Sequence, residues 1–155
     1  MPASRKKAIN VILAATFIAG TLDILAAILV YSIVLEQTSP SMILMSIASG
    51  VFGKAAFSGG SLMVLAGLLL HYLIAFLFST FYYIIYPGLE FLKKQRLISG
   101  ILYGIFVWLV MNLGVLRIVF SAKLPSDPEA ALLGISILII AFGIPISYII
   151  STSRN

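Results

Sequence analysis

Apolar residues fill this chain in four long runs, roughly residues 9–35, 62–86, 98–121 and 130–150, each reaching the ~20 residues that a helix needs to cross a bilayer. The punctuation between them is helical. Pro87 and Gly88 close the second run, and Ser126, Asp127, Pro128 and Glu129 form a start signal for the fourth. Gly143 and Pro145 predict a kink or weakened turn inside that last run. A fifth apolar stretch, SMILMSIASGVFGKAAF, lies between the first two. Ser39 and Pro40 read as a cap followed by a first-turn proline, and Gly59 with Gly60 breaks the stretch from the next run, which predicts a separate short helix over about 40–57. Its small and polar positions Ser46, Ser49, Gly50, Gly53 and Lys54 recur at helical spacing. Such a helix either lies in the interface or re-enters the bilayer. The expected fold is an all-α integral membrane protein with four transmembrane helices plus one short amphipathic or re-entrant helix between spans one and two.

Composition agrees with this pattern. Apolar residues make up 61% of the 155-residue chain and charged residues 10%, and the polar stretches are too short to build a second core, so residues 1–155 are expected to form a single membrane domain. The absence of cysteine excludes disulfide exchange and thiolate metal sites. The SRKK segment before the first run resembles the start of a signal peptide, but the run is long and carries Asp23, so it is read as an uncleaved span. Arg5, Lys6 and Lys7 precede the first run, Lys93, Lys94 and Arg96 lie between the second and third, and Arg154 follows the fourth. By the positive-inside rule both termini are cytoplasmic, in a cell inner membrane. The net charge of +5 is then mostly an orientation signal, and implies membrane lipids as partners rather than nucleic acid.

Chemistry enters with three polar residues inside the runs. A carboxylate near the middle of a membrane helix costs about 2.5–3.5 kcal/mol on insertion scales, so Asp23 needs a partner or a purpose. At ~1.5 Å per residue, His71 and Asn112 fall within about 5 Å of the same depth. Small-residue stripes run through all three sites: Thr16, Gly20, Asp23 and Ala27; Gly60, Gly67, His71, Ala75 and Ser79; Gly100, Gly104 and Asn112. Small residues let membrane helices approach closely, so the stripes are expected to face one another and carry Asp23, His71 and Asn112 into a shared polar cluster. That cluster reads either as a proton-responsive pair in a cavity or as a hydrogen-bonded lock between helices. Lys54, Gly59, Gly60 and Arg117 are candidates for the cavity mouth or for lipid headgroup contacts. Phe81, Tyr82, Tyr83 and Tyr86 read as an interfacial belt, and the Gly100 to Gly104 spacing leaves a homo-oligomer open.

Catalytic signatures are weak. One histidine does not make a multi-histidine metal site, and no phosphate-binding loop or dinucleotide fingerprint is present, so no metal and no cofactor is expected and the chain leans away from an enzyme. Two function classes remain: a small transporter or ligand binder with an unknown small-molecule substrate, and a structural, lipid-interacting or accessory membrane protein.

GTLDILAAI, ASGVFGKAAFSGG, LAGLLLHYLIAF and LYGIFVWLVMN, followed by a proline-containing last span, resemble a family of small bacterial inner-membrane proteins of uncharacterised function. The resemblance covers most of the chain and rests on Asp23, the segment from Lys54 to Gly60, His71, and Met111 with Asn112. It implies four spans and no established activity. Arg117 stands where the family pattern has proline, and the fourth span lacks the family's histidine.

Overall fold

The computed structural model describes residues 2–115 and 128–154, and among these no strand occurs. Helix α1 (Pro2–Ala27) widens into a π-helical turn, Ile28–Val34. Helix α2 (Pro40–Phe52) ends in a 3₁₀ turn, Gly53–Ser58, and α3 (Gly60–Ile85) in another, Tyr86–Gly88. A five-residue α4 (Glu90–Lys94) leads into α5 (Arg96–Leu109), which also widens into a π turn, Val110–Val115. After residues 116–127, α6 (Pro128–Ile137) passes through a third π turn, Leu138–Gly143, into α7 (Ile144–Arg154). This last widening realises the predicted weakened turn. Pro145 has no N–H to offer the carbonyl of Ala141, so the ordinary ladder fails there.

Five segments are long and apolar enough to cross a membrane: Lys6–Val34, Pro40–Ser58, Gly60–Gly88, Arg96–Gly114 and Pro128–Arg154. This is one more than the four expected, and the addition is the stretch read as a short helix. It is the least apolar of the five, with a mean hydropathy of 1.3 against 1.9 to 2.4 for the rest. It is capped as its sequence suggests: the Ser39 hydroxyl accepts the backbone N–H of Met42 at 3.3 Å, with Pro40 in the first turn. Its α-helical part stops at Gly53, whose φ of 60° is a conformation that a residue with a Cβ adopts at a cost of about 1 kcal/mol.

Packing is organised by glycines, though not in the pattern expected. On α1 and α3 the stripes do meet: a Cβ added at Gly20 would sit 3.3 Å from that of Ala75. Gly67 of α3, however, receives α2, and a Cβ there would overlap the Leu44 carbonyl. Gly100 and Gly104 of α5 receive the α6–α7 helix, where a Cβ would come within 2.7 Å of Ile144 Cα and 2.6 Å of Ile139 Cα. Gly143 faces the same two glycines. The Gly100–Gly104 pair is therefore filled within the chain and is not an open dimerisation face. Without a hydrophobic driving force between helices in lipid, this backbone-to-backbone approach is a main source of cohesion.

The bundle end that carries the basic residues has a polar core that the sequence reading missed. Tyr82 and Tyr86 are 0% and 2% exposed, so they are core residues rather than an interfacial belt; Phe81 is exposed and stacks on Phe106. The Tyr82 hydroxyl donates to Ser147 Oγ at 2.9 Å, and Ser147 donates to the carbonyl of Arg96 at 2.8 Å. Tyr103 donates to the Phe78 carbonyl at 2.6 Å and meets Tyr82 edge-on at 4.7 Å between ring centres. Buried hydroxyls need such partners, since an unpaired one costs about 1–3 kcal/mol. Arg154 closes this end, lying 4.1 Å over the Tyr83 ring and donating to the Tyr83 carbonyl at 2.7 Å.

Candidate functional site

Asp23, His71 and Asn112, from α1, α3 and the π turn after α5, line one cavity of about 690 Å³. This is within the ~300–1,000 Å³ range of small-molecule sites. The cavity occupies the half of the bundle away from the basic end. From Asp23 it runs along α1 past Ala27 to Tyr31. Leu70, Ile74 and Phe78 extend the α3 wall, while Val107, Trp108 and Met111 extend that of α5. Gly134, Ile137, Leu138 and Phe142 form the α6 side.

The three polar side chains share a space without bonding to one another. His71 Nε2 lies 2.8 Å from the Gly20 carbonyl, and because a carbonyl only accepts, Nε2 carries the hydrogen. Gly20 stands one helical turn before Asp23 on the same face of α1, so this bond pins the imidazole beside the carboxylate. Asn112 turns back on its own helix and donates from Nδ2 to the Trp108 carbonyl at 3.0 Å. Asp23 accepts no hydrogen bond from any described residue. The arrangement is a lined cavity whose carboxylate has no hydrogen-bond partner among the described residues, whereas a lock between helices would need the three groups to bond across the gap.

All three π turns contribute to the lining: Tyr31 from the first, Met111 and Asn112 from the second, Leu138 and Phe142 from the third. A π turn inserts an extra residue into the helical ladder and re-aims the side chains around it, and such turns concentrate at functional sites. No composition or spacing rule marks them in the sequence. Proline two residues past Gly143 is the one local signal, and it applies to the third turn alone.

Lys54, Gly59 and Gly60 do not line the cavity. All three are exposed. The wall on that side comes from earlier on α2, at Ser46, Ile47, Gly50 and Val51, of which only Ser46 and Gly50 belong to the small and polar stripe read from the sequence. Gly60 does form a turn between α2 and α3, with a φ of 58°. Arg117 lies outside the described residues. The aromatic residues Tyr31, Phe78, Trp108 and Phe142 were also not singled out as lining, since aromatic residues in apolar runs more often pack than bind. Among the described residues, no three His, Asp or Glu side chains group to hold a metal. No family model, curated protein or solved structure matches the chain.

Proposed function

We propose that this protein is a small membrane transporter or ligand binder whose site is the cavity lined by Asp23, His71 and Asn112. The observation that carries this reading is the Asp23 carboxylate: it faces a space of about 690 Å³ and accepts no hydrogen bond from any described residue. A carboxylate in a membrane span with no hydrogen-bond partner among the described residues is expected to meet water or a ligand. The reading includes a cell inner membrane as location and both termini in the cytoplasm. Lys6 and Lys7 precede the apolar part of α1, Lys93 and Lys94 lie on α4, and Arg154 packs on Tyr83 near the end of α3, so these cations belong to one end of the bundle. It also includes four full spans, with α2 as a re-entrant or interfacial wall. Pro40–Ser58 is long enough to cross, and what favours the re-entrant or interfacial placement is its mean hydropathy of 1.3, the lowest of the five, with the break in the α-helix at Gly53. Kinship with the small bacterial four-span proteins named above belongs to the same proposal.

A structural role is the second reading, favoured by the His71 to Gly20 bond, which ties α3 to α1. Trp108 separates the two. It is the chain's single tryptophan and it lines the cavity, so its emission reports on that space. In proteoliposomes of unlabelled phosphatidylcholine, acrylamide added to the aqueous phase is expected to quench Trp108 well above a control in which Trp108→Phe is combined with Ile140→Trp, a residue 69% exposed at the middle of the last span. Quenching no greater than that of the control would favour the structural lock.

A further inference from the structure

The cavity's polar groups restrict the kind of molecule it takes. Among the described residues no lysine or arginine lines it, so from them an anion would gain no counter-charge and would meet a carboxylate already present. The hydrogen-bonding inventory points the same way. The His71 Nε2 hydrogen is spent on the Gly20 carbonyl, and with one hydrogen on the ring, Nδ1 is an acceptor. Asn112 uses one amide hydrogen on the Trp108 carbonyl, which leaves Oδ1 as an acceptor beside a single remaining amide hydrogen. Asp23 contributes two further acceptor oxygens. Around this acceptor-rich patch the lining is apolar and aromatic, with Tyr31, Phe78, Trp108 and Phe142 offering ring faces or edges.

Resting on the binding function proposed above, we infer that the ligand class is a protonated primary or secondary amine carrying an apolar body. The ammonium supplies the positive charge that Asp23 lacks and the N–H donors that the acceptors require. A charge-assisted hydrogen bond to a carboxylate is about twice as strong as a neutral one, so Asp23 selects the amine. The aliphatic and aromatic walls take the body of the molecule, in a cavity of about 690 Å³ that admits ligands up to drug size. A quaternary ammonium would satisfy the charge but not the acceptors, and an alcohol the acceptors but not the charge.

Matched ligands test this without requiring any variant to fold. The full chain in proteoliposomes of uncharged phosphatidylcholine is titrated with 4-phenylbutylamine, 4-phenylbutan-1-ol and 4-phenylbutyrate, and saturable change in Trp108 emission is read against protein-free liposomes. The amine is expected to bind at least about tenfold more tightly than the alcohol, in line with the net worth of a hydrogen bond to a charged group, and the carboxylate least of all. Asp23→Asn is expected to remove most of the amine's advantage over the alcohol. Equal binding of amine and alcohol, or preference for the carboxylate, would overturn the ligand class while leaving a binding cavity. No saturable response to any of the three would also overturn it, and acrylamide access to Trp108 then decides separately whether the cavity reading survives.

Discussion

Gly143→Leu is expected to abolish the folded bundle or to lower its stability by about 4 kcal/mol or more, the range reached only when a core is broken. The reason is the depth of the contact. Even a single Cβ at position 143 would overlap the Gly100 carbonyl and come within 2.6 Å of Gly104 N, while Gly100 and Gly104 accept the same helix from the other side. The atoms in the way are backbone, so no rotamer change relieves the clash; α5 and the α6–α7 helix must move apart. Separation would also draw Ser147 away from Arg96 and Tyr82, which leaves buried hydroxyls unpaired. Unfolding in a denaturing detergent series checks this, with Gly88→Ala as the control. Nothing lies within 4 Å of a Cβ at Gly88, and that variant is expected to stay within about 0.5 kcal/mol of the parent. A parent-like midpoint for Gly143→Leu would mean that the two helices are not in backbone contact.

Gly67→Leu is expected to act differently, by releasing α2 from an otherwise intact bundle. A Cβ at position 67 would overlap the Leu44 carbonyl, so this contact too is backbone on backbone. Yet α2 packs chiefly on α3, while α1, α3, α5, α6 and α7 hold one another through separate contacts. The cost is expected to be about 1–3 kcal/mol, as for overpacking at a site that can relieve itself by local movement. The cavity would lose the wall formed by Ser46, Ile47, Gly50 and Val51. Backbone hydrogen exchange should therefore rise across residues 40–58 and stay low in α5 and α7. Uniform loss of protection along the chain would show that α2 is integral to the fold, and an unchanged profile would show that it does not rest on Gly67.

These two glycines also show where the sequence was legible. Depth along an apolar run is set by residue count alone, so the common layer of Asp23, His71 and Asn112 was readable, and all three do line one cavity. Which stripe faces which helix is a tertiary property, and spacing does not encode it. Gly67 belongs to the same face as His71 by periodicity but is claimed by α2, and Gly104 shares a stripe with Asn112 but is claimed by the π turn between α6 and α7. The Tyr82 and Ser147 network was missed for a similar reason. Tyrosine near the end of an apolar run fits a membrane interface equally well, and only the four-residue spacing of Gly143, Ser147 and Ser151 on α7 marked a face able to receive it. The π turns left almost no trace, because widening a helix needs a tertiary demand rather than a residue type.

The absence of cysteine from the chain permits the most direct test of the cavity. Ala27→Cys and Met111→Cys place single thiols on its α1 and α5 walls, Leu77→Cys places one on the outer face of α3, where Leu77 is 59% exposed, and Thr152→Cys marks the opposite end of the bundle. With a membrane-impermeant thiol reagent applied to each side in turn, positions 27 and 111 are expected to react from the side opposite Thr152→Cys, while Leu77→Cys stays protected in lipid. Protection of both cavity positions from both sides, in folded protein whose Thr152→Cys control reacts, would contradict the account and leave Asp23, His71 and Asn112 as a dry structural feature.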